Sequence, residues 1–572
     1  MMNTLLINKL TQQNRYVERI VSFIVLLLFI FFLGKGIIQS TEGASLGGLF
    51  RIFLPSVFYF LLFIFFSLID LGDIKTFFNF SEIRLKQAIP TFCIALFLAY
   101  PIIIIGSNYG LTDAMIGLII IFGFISSVYF VVIGNASLGV TIFLLTFPFL
   151  SYFEHYYGYK YIFWGKIEWG PILLTPSGIF IIFLFLATLI SQYGKKLISE
   201  LNTPIVKAAF IFIFIVFVSS LISQDPVVSF KNLSLEYLYP VLFFIVALRS
   251  IHTMKDVKML SHATITCVCL ISFFSLYFFL RRSQGMVQLH DIYGSIMATH
   301  ISSGTWGKIT AMALPLAITL FALSRKNIKI VYIFVISFIL MSIVLSFARA
   351  AMAAILVSLP VLLKERKLRT VVFAGVVILT IVFSFQRSLF SKYVLYRFQH
   401  IRSFNDLVYD TSVQARIEAA KAAIGMAKDQ PLLGIGIGLW DQHVPYYAKM
   451  QSVVVGSLRG HYRYGRGYIM DAHNRFCQVL ADSGILGFTA WIFLIFTILK
   501  ESIFVLRRTK DDIKFMHMLG VFSCMICFLV LSFTGGGFSR STFLGYNLLF
   551  WIIVAMIIKI NMFEKLNSNT RE

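Results

Sequence analysis

The sequence predicts an all-α, polytopic transmembrane helical bundle of about 14–16 spans, with one large, partly helical loop between two of them. Three observations carry that expectation. The 572 residues are 58% hydrophobic, only 13% charged, and include 61 Phe. A soluble domain has no use for that much apolar surface. Apolar runs of the roughly 20 residues needed to cross a bilayer recur along the chain. Lysine and arginine collect between those runs, where a membrane protein keeps its cytoplasmic cations.

Taken in order, residues 1–19 form a basic N-terminus with Lys9, Arg15 and Arg19. The apolar run that follows, from Ile20 to Leu33, lacks a small-residue cleavage site. It reads as a first span with its N-terminus inside, not as a removed signal. Runs then fall near 20–38, 52–69, 88–106, 114–133, 137–150, 176–192, 204–223, 238–249 and 260–280 within an N-terminal set of spans, 20–284. A second set, 285–386, holds runs near 305–323, 329–347, 350–363 and 370–386. Residues 387–484 form the large loop. Runs near 485–506, 516–533 and 541–560 make a C-terminal set, 485–560, ahead of a polar tail, 561–572. With the N-terminus inside, Lys195-Lys196, Arg325-Lys326, Lys364 to Arg369 and Arg507 to Lys510 all fall on the cytoplasmic side, and 387–484 falls outside. The net charge of +23 belongs to these loops, so no nucleic acid is expected as a partner. Cys267, Cys269, Cys524 and Cys527 lie in apolar runs and read as packing, not as a redox or metal pair.

The outer loop departs from the charge rule. Arg387, Lys392, Arg397, Arg402, Arg416, Lys421, Lys428, Lys449, Arg459, Arg463, Arg466 and Arg475 stand against Asp406, Asp410, Glu418, Asp429, Asp441, Asp471 and Asp482. Arginine forks suit phosphate oxygens. Long loops also cross regardless of charge, so charge alone leaves both readings open. Thr411 or Ser412 is placed to cap a helix running to about Lys428, stopped by Pro431 and Gly434. Its alanines allow close packing. Arg416 falls in the first turn, where a cation opposes the helix dipole, which points to a use other than helix stability. Gly434-Ile-Gly436-Ile-Gly438 follows a helix, not a strand, so it reads as a tight structural turn before a phosphate loop. In Arg459-Gly-His-Tyr-Arg-Tyr-Gly-Arg-Gly467, arginine alternates with aromatic residues, as phosphate and sugar binding requires, though a polar hinge has the same composition.

Asp471-Ala-His-Asn-Arg opens a second helix that Gly484 closes before the next span. His473 falls in its first turn, where the positive dipole end disfavours protonation. A neutral imidazole there is suited to accept a proton from a hydroxyl. Asp471 is the second candidate base, and Asn474 is placed to orient the imidazole or a substrate hydroxyl. No His, Cys and carboxylate cluster has metal-ligand spacing: His461 and His473 are twelve apart, and His443 is further off. Arg349, in Leu345-Ser-Phe-Ala-Arg-Ala-Ala, falls in a turn between two spans at the outer face. A charge there has a partner, or snorkels to lipid phosphate.

As an ordered set, three motifs resemble the O-antigen ligase and polymerase superfamily. They are Ser346-Phe-Ala-Arg349-Ala-Ala, then Arg416 with Lys428-Asp-Gln-Pro431-Leu-Leu-Gly434-Ile-Gly436, then Ala472-His473-Asn474 through Gly484-Ile-Leu-Gly487. The likeness covers roughly residues 285–500, the ligase-like core. Ala348 stands where serine is frequent and Cys477 where an aliphatic residue is usual, and the chain is longer than most of the family. The resemblance implies a glycosyltransferase of the cell inner membrane that needs no metal or other cofactor and works on the periplasmic face. Its donor would be a glycan on undecaprenyl diphosphate, and its acceptor lipid A-core or another glycan, among membrane lipids. Arg349 and Arg416 match the family arginines that hold the donor diphosphate, and His473 matches the essential histidine. Arg459, Arg463, Tyr464, Arg466 and Asn474 join them as substrate contacts from the residue reading. Three activities remain open: a ligase onto lipid A-core, a polymerase extending the lipid-linked glycan, and a transporter or flippase of lipid-linked sugars. Transporters place ionisable residues inside spans near the midplane, whereas here charge gathers in one loop.

Overall fold

The structure is a computed structural model, and it describes residues 112–160, 167–169, 172–191, 200–282, 303–346, 348–363, 365–369, 372–373, 411–447, 472–534 and 545–569. It is a bundle of long helices. In chain order they are α1 (Thr112–Val132), α2 (Ala136–Lys160), α3 (Pro176–Ile190), α4 (Pro204–Leu221), α5 (Pro226–Leu233), α6 (Tyr239–Ser250), α7 (Met254–Arg282), α8 (Ser303–Leu323), α9 (Lys326–Leu345), α10 (Arg349–Leu363), α11 (Thr411–Asp429), α12 (Trp440–Tyr447), α13 (Arg475–Arg508), α14 (Asp512–Thr534) and α15 (Gly545–Asn569). A five-residue π-helical turn, Ser234–Leu238, joins α5 to α6. The strand pair β1 (Ile167–Trp169) and β2 (Ile172–Leu174) is antiparallel, with Ile167 opposite Leu174.

Among the described residues, eight helices are long and apolar enough to cross a membrane, and four shorter apolar helices accompany them. These twelve fall on twelve of the expected runs. The runs near 20–38, 52–69, 88–106 and, but for two residues, 370–386 lie outside the described residues. The run expected at 238–249 is longer than hydropathy suggested, because α5, the π turn and α6 form one continuous helical rod from Pro226 to Ser250. Its first half carries Ser229, Lys231, Asn232, Ser234 and Glu236, which lower its hydropathy. Inside the bundle those polar groups have partners: the Ser229 hydroxyl donates to the Ile437 carbonyl (3.0 Å) and the Asn547 amide reaches the Glu236 carbonyl (3.4 Å).

Local signals explain the helix ends. Thr175, Thr203 and Asp225 each cap a helix that opens on proline, and each side chain accepts from a backbone N–H of the first turn. Outward faces keep large apolar side chains such as Phe214, Phe334, Leu356 and Phe496 exposed, as lipid contact requires. The bundle's axis is α15, buried on all sides along Leu548 to Ile558.

Successive spans alternate in direction, the Pro226–Ser250 rod counting as one, which defines two ends. At one, the loop end, the start of α15 meets the π turn through Asn547 and Glu236, and Phe476 at the start of α13 stacks on Phe533 at the end of α14 (4.4 Å between ring centroids). At the opposite end, Glu200 holds Arg249 (3.2 Å) from the end of α6 and Lys559 (2.8 Å) from α15, all buried, while Lys367 pairs with Asp512 (2.8 Å) at the surface. Arg325, Arg507, Arg508 and Lys510 also fall at this opposite end, since α8 and α13 both finish there.

Candidate active site at the loop end

The site is built on the first turns of α13. Asn474 is the N-cap: its extended backbone (φ −150°, ψ 120°) turns its side-chain oxygen to accept from the N–H groups of Phe476 (2.9 Å) and Cys477 (3.3 Å). His473 therefore stands one residue before the cap and outside the first turn where the sequence placed it. Its φ is +48°, the left-handed region, and its side chain is exposed.

The turn is tied down on both sides. Ala472, buried just before it, donates its N–H to Gln478 Oε1 (2.8 Å). The Gln478 amide nitrogen in turn donates to both oxygens of Asp482 (2.9 and 3.0 Å), so the amide has one orientation. On the other side Arg475 is buried (1% exposed). It donates from Nη2 to the Tyr237 hydroxyl, lies 3.6 Å from Glu236 Oε2, and stacks over the Tyr237 and Trp491 rings at 5.1 and 5.6 Å. The sequence counts Arg475 and Asp482 among the outer loop's charges. Both are interior groups with partners.

The glycine-rich turn after α11 docks onto this same stretch. Ile435 and Gly436 donate to the carbonyls of Ala481 (2.9 Å) and Asp482 (2.9 Å), and Ile485 donates to Pro431 (2.8 Å). The Ser219 hydroxyl lies 2.7 Å from the Leu433 carbonyl and 2.8 Å from that of Asp482. Gly484 interrupts α13 with φ 62° and ψ −164°, a conformation essentially limited to glycine. A Cβ on Gly434 would run into the Ala481 carbonyl, and one on Gly484 into the backbone of Leu432. The turn is thus a structural dock, and the N–H groups of Gly434, Ile435 and Gly436 are already used.

α11 begins at Thr411, so Arg416 falls in the second turn, one turn further in than the sequence reading had it. Ala419, Ala422, Ala423 and Met426 are buried in one cluster with Ala472 and Ala481. That stripe, at helical spacing, continues N-terminally to Arg416, which is exposed. The C-terminal end of α11 is fastened near residues 481–485, so its earlier turns run along α13 toward residue 472. At this same C-terminal end α11 also packs on α12, with Gly425 against the Tyr447 ring. Tyr447 donates its hydroxyl to Asp429, and this bond pushes the phenol up to about 12. Partial burial holds the His443 imidazole below its ordinary value.

Arg349 is the first residue of α10, at the loop end. The turn before it is fixed by Ser346, whose hydroxyl donates to the Ile343 carbonyl (2.7 Å) and accepts from the Ala348 N–H (3.3 Å). α10 runs antiparallel to α14, pinned at the far end by Lys367 and Asp512, so Arg349 and His473 flank the same end of α14. The starts of α10, α11 and α13 thus bring Arg349, Arg416 and His473 to one end of the bundle. Arg459, Arg463, Tyr464, Arg466 and Asp471 lie outside the described residues. Of the contacts that the sequence reading does not draw, that of Gln478 with Asp482 had a signal, two polar groups four apart beside an apolar span. Glu236 and Tyr237 had none, since they meet Arg475 from 239 and 238 positions away.

Fold and site together define a polytopic helical membrane protein that presents a strained, exposed histidine at the head of a capped helix. Residues 332–492 match the family model described as O-antigen ligase, and they include Arg349, Arg416 and His473. That match supports the O-antigen ligase/polymerase superfamily and a membrane glycosyltransferase of that kind. A search of curated proteins finds no match to this chain.

Proposed function

We propose that this protein transfers a glycan from undecaprenyl diphosphate to an acceptor hydroxyl on the periplasmic face of the inner membrane, as an O-antigen ligase acting on lipid A-core. The family match across Arg349, Arg416 and His473 carries the reading. The clustering of Arg325, Arg507, Arg508 and Lys510 at the opposite end supports a loop end that faces outward.

In this reaction His473 takes the proton of the acceptor hydroxyl as its oxygen forms a bond to the anomeric carbon. The bond from that carbon to the diphosphate oxygen breaks, with inversion, and undecaprenyl diphosphate leaves with the electron pair. Arg349 and Arg416 neutralise the charge that develops on it, work a metal ion does in other transferases. Arg459, Arg463, Tyr464 and Arg466 contact the donor glycan and diphosphate. Asn474 contributes by holding the turn, since its side-chain oxygen is committed to the cap.

The test is deletion followed by gel analysis of the lipopolysaccharide. Free lipid-linked polymer with bare core is the expected result. Core bearing a single repeat unit would identify a polymerase instead, and an unchanged profile would remove both readings. With purified protein, His473→Ala abolishes transfer, and full activity of that variant would overturn its role as base.

A further inference from the structure

The buried cation beside the active-site turn has no use in helix stability. Arg475 is the first residue of α13, where a positive charge opposes the helix dipole. It is also buried among the rings of Tyr237 and Trp491, so its desolvation is costly. A buried ion pair is commonly replaced by apolar residues with no loss of stability. Its partners come from the π-helical turn, through two consecutive residues, Glu236 and Tyr237. Single π turns within α-helices are rare and recur at functional sites. This one lies outside the family-matched stretch, 332–492, in the N-terminal set of spans.

What the pair holds is specific. Arg475 stands two residues after His473, whose left-handed backbone is costly and persists only where its surroundings impose it. Gln478 and Asp482 restrain the turn from Ala472, and Asn474 caps it. Arg475 anchors the other flank to a separate helical rod, which Asn547 ties to the bundle axis.

We propose that Glu236 and Tyr237 of the π-helical turn are positioning residues for the transfer reaction, acting through Arg475 to set the presentation of His473. The inference rests on the assignment of His473 above. Glu236 holds the guanidinium by charge and Tyr237 by hydrogen bond and ring face, so the imidazole is presented at one angle to the acceptor. Loss of the anchor leaves the fold and the donor arginines in place and releases the turn. The effect then falls on turnover and not on donor binding.

The test uses the full-length protein in lipid nanodiscs and the double variant Glu236→Leu/Arg475→Met, which removes both members of the buried pair together. Thermal unfolding, donor KM, kcat and the rate at which diethylpyrocarbonate modifies His473, read by peptide mass spectrometry, are compared with wild type. The expected result is an unfolding midpoint near wild type, donor KM within about twofold, kcat at least tenfold lower, and a changed modification rate at His473. Tyr237→Phe gives an intermediate kcat, and Arg475→Lys, which retains the charge, recovers part of the loss. Wild-type kcat and an unchanged modification rate in a folded double variant would overturn the proposal. If the double variant does not fold, Tyr237→Phe carries the same comparison, and its wild-type kcat and modification rate would overturn it. The modification needs no glycan, so a wild-type protein inactive in transfer would sink the proposed function while His473 labelling still decides the positioning role.

Discussion

His473 occupies a backbone conformation that most side chains avoid, and it does so at the surface. Asparagine tolerates the left-handed region and β-branched residues do not. His473→Asn should therefore unfold at the wild-type temperature and yet transfer no glycan. His473→Val should lose both activity and about 1–2 kcal/mol of stability, read from the shift of thermal unfolding in detergent. Arg416, exposed on an extension of a buried stripe, is open to a cleaner test. Arg416→Ala should leave unfolding within about 0.5 kcal/mol of wild type, as surface changes do, and lower transfer at least tenfold. A loss of stability that matched the loss of activity would return Arg416 to a structural role.

The decisive element is the start of α13, which is one unit with the turn that follows α11. Gly434 and Gly484 approach each other's segments so closely that neither admits a Cβ. Gly484→Ala should destabilise by about 3 kcal/mol or more, through backbone strain and overpacking together. Its signature is loss of folded protein in size-exclusion chromatography; a well-folded, active variant would contradict the described dock. Much at this scale was legible in advance: the α11 start at Thr411, its end before Pro431, and the break at Gly484 all follow from local residue types. The position of His473 was not. Whether a histidine lies inside the first turn or before the cap depends on Asn474 taking the cap, and histidine and asparagine side by side leave that choice open in the sequence. Arg475 misled for a different reason. Arginine in a polar stretch reads as solvated, and its burial depends on Glu236 and Tyr237, which no local pattern connects to it.

Among the described residues, the positions and order of the apolar helices are written plainly in hydropathy, while their internal polar seams are not. Glu200, Arg249 and Lys559 come from three distant stretches and meet inside the bundle. Glu200→Gln should leave two buried cations without their carboxylate and lower stability by about 3–5 kcal/mol, measured by thermal unfolding. The orientation is open to direct measurement. A cysteine at Tyr446, exposed at the loop end, should react with a membrane-impermeant maleimide added to intact spheroplasts. A cysteine at Arg508 should react only after permeabilisation. The reverse pattern would invert the topology and with it the periplasmic reading.

The polar face of the rod from Pro226 to Ser250 also has a history in time. Ser229 waits for Ile437, Glu236 and Tyr237 for Arg475, and the Glu236 carbonyl for Asn547, some 200 to 310 residues later in the chain. At ribosomal speeds of about 5–20 residues per second, that is an interval of roughly 10–60 s. Through it the rod is in or at the bilayer without these later partners, and hydrocarbon offers no substitute for them. Newly made chains are thus most vulnerable before α15 emerges. A stop codon between α14 and α15 removes only the last helix on paper, but it should commit the whole N-terminal half to degradation.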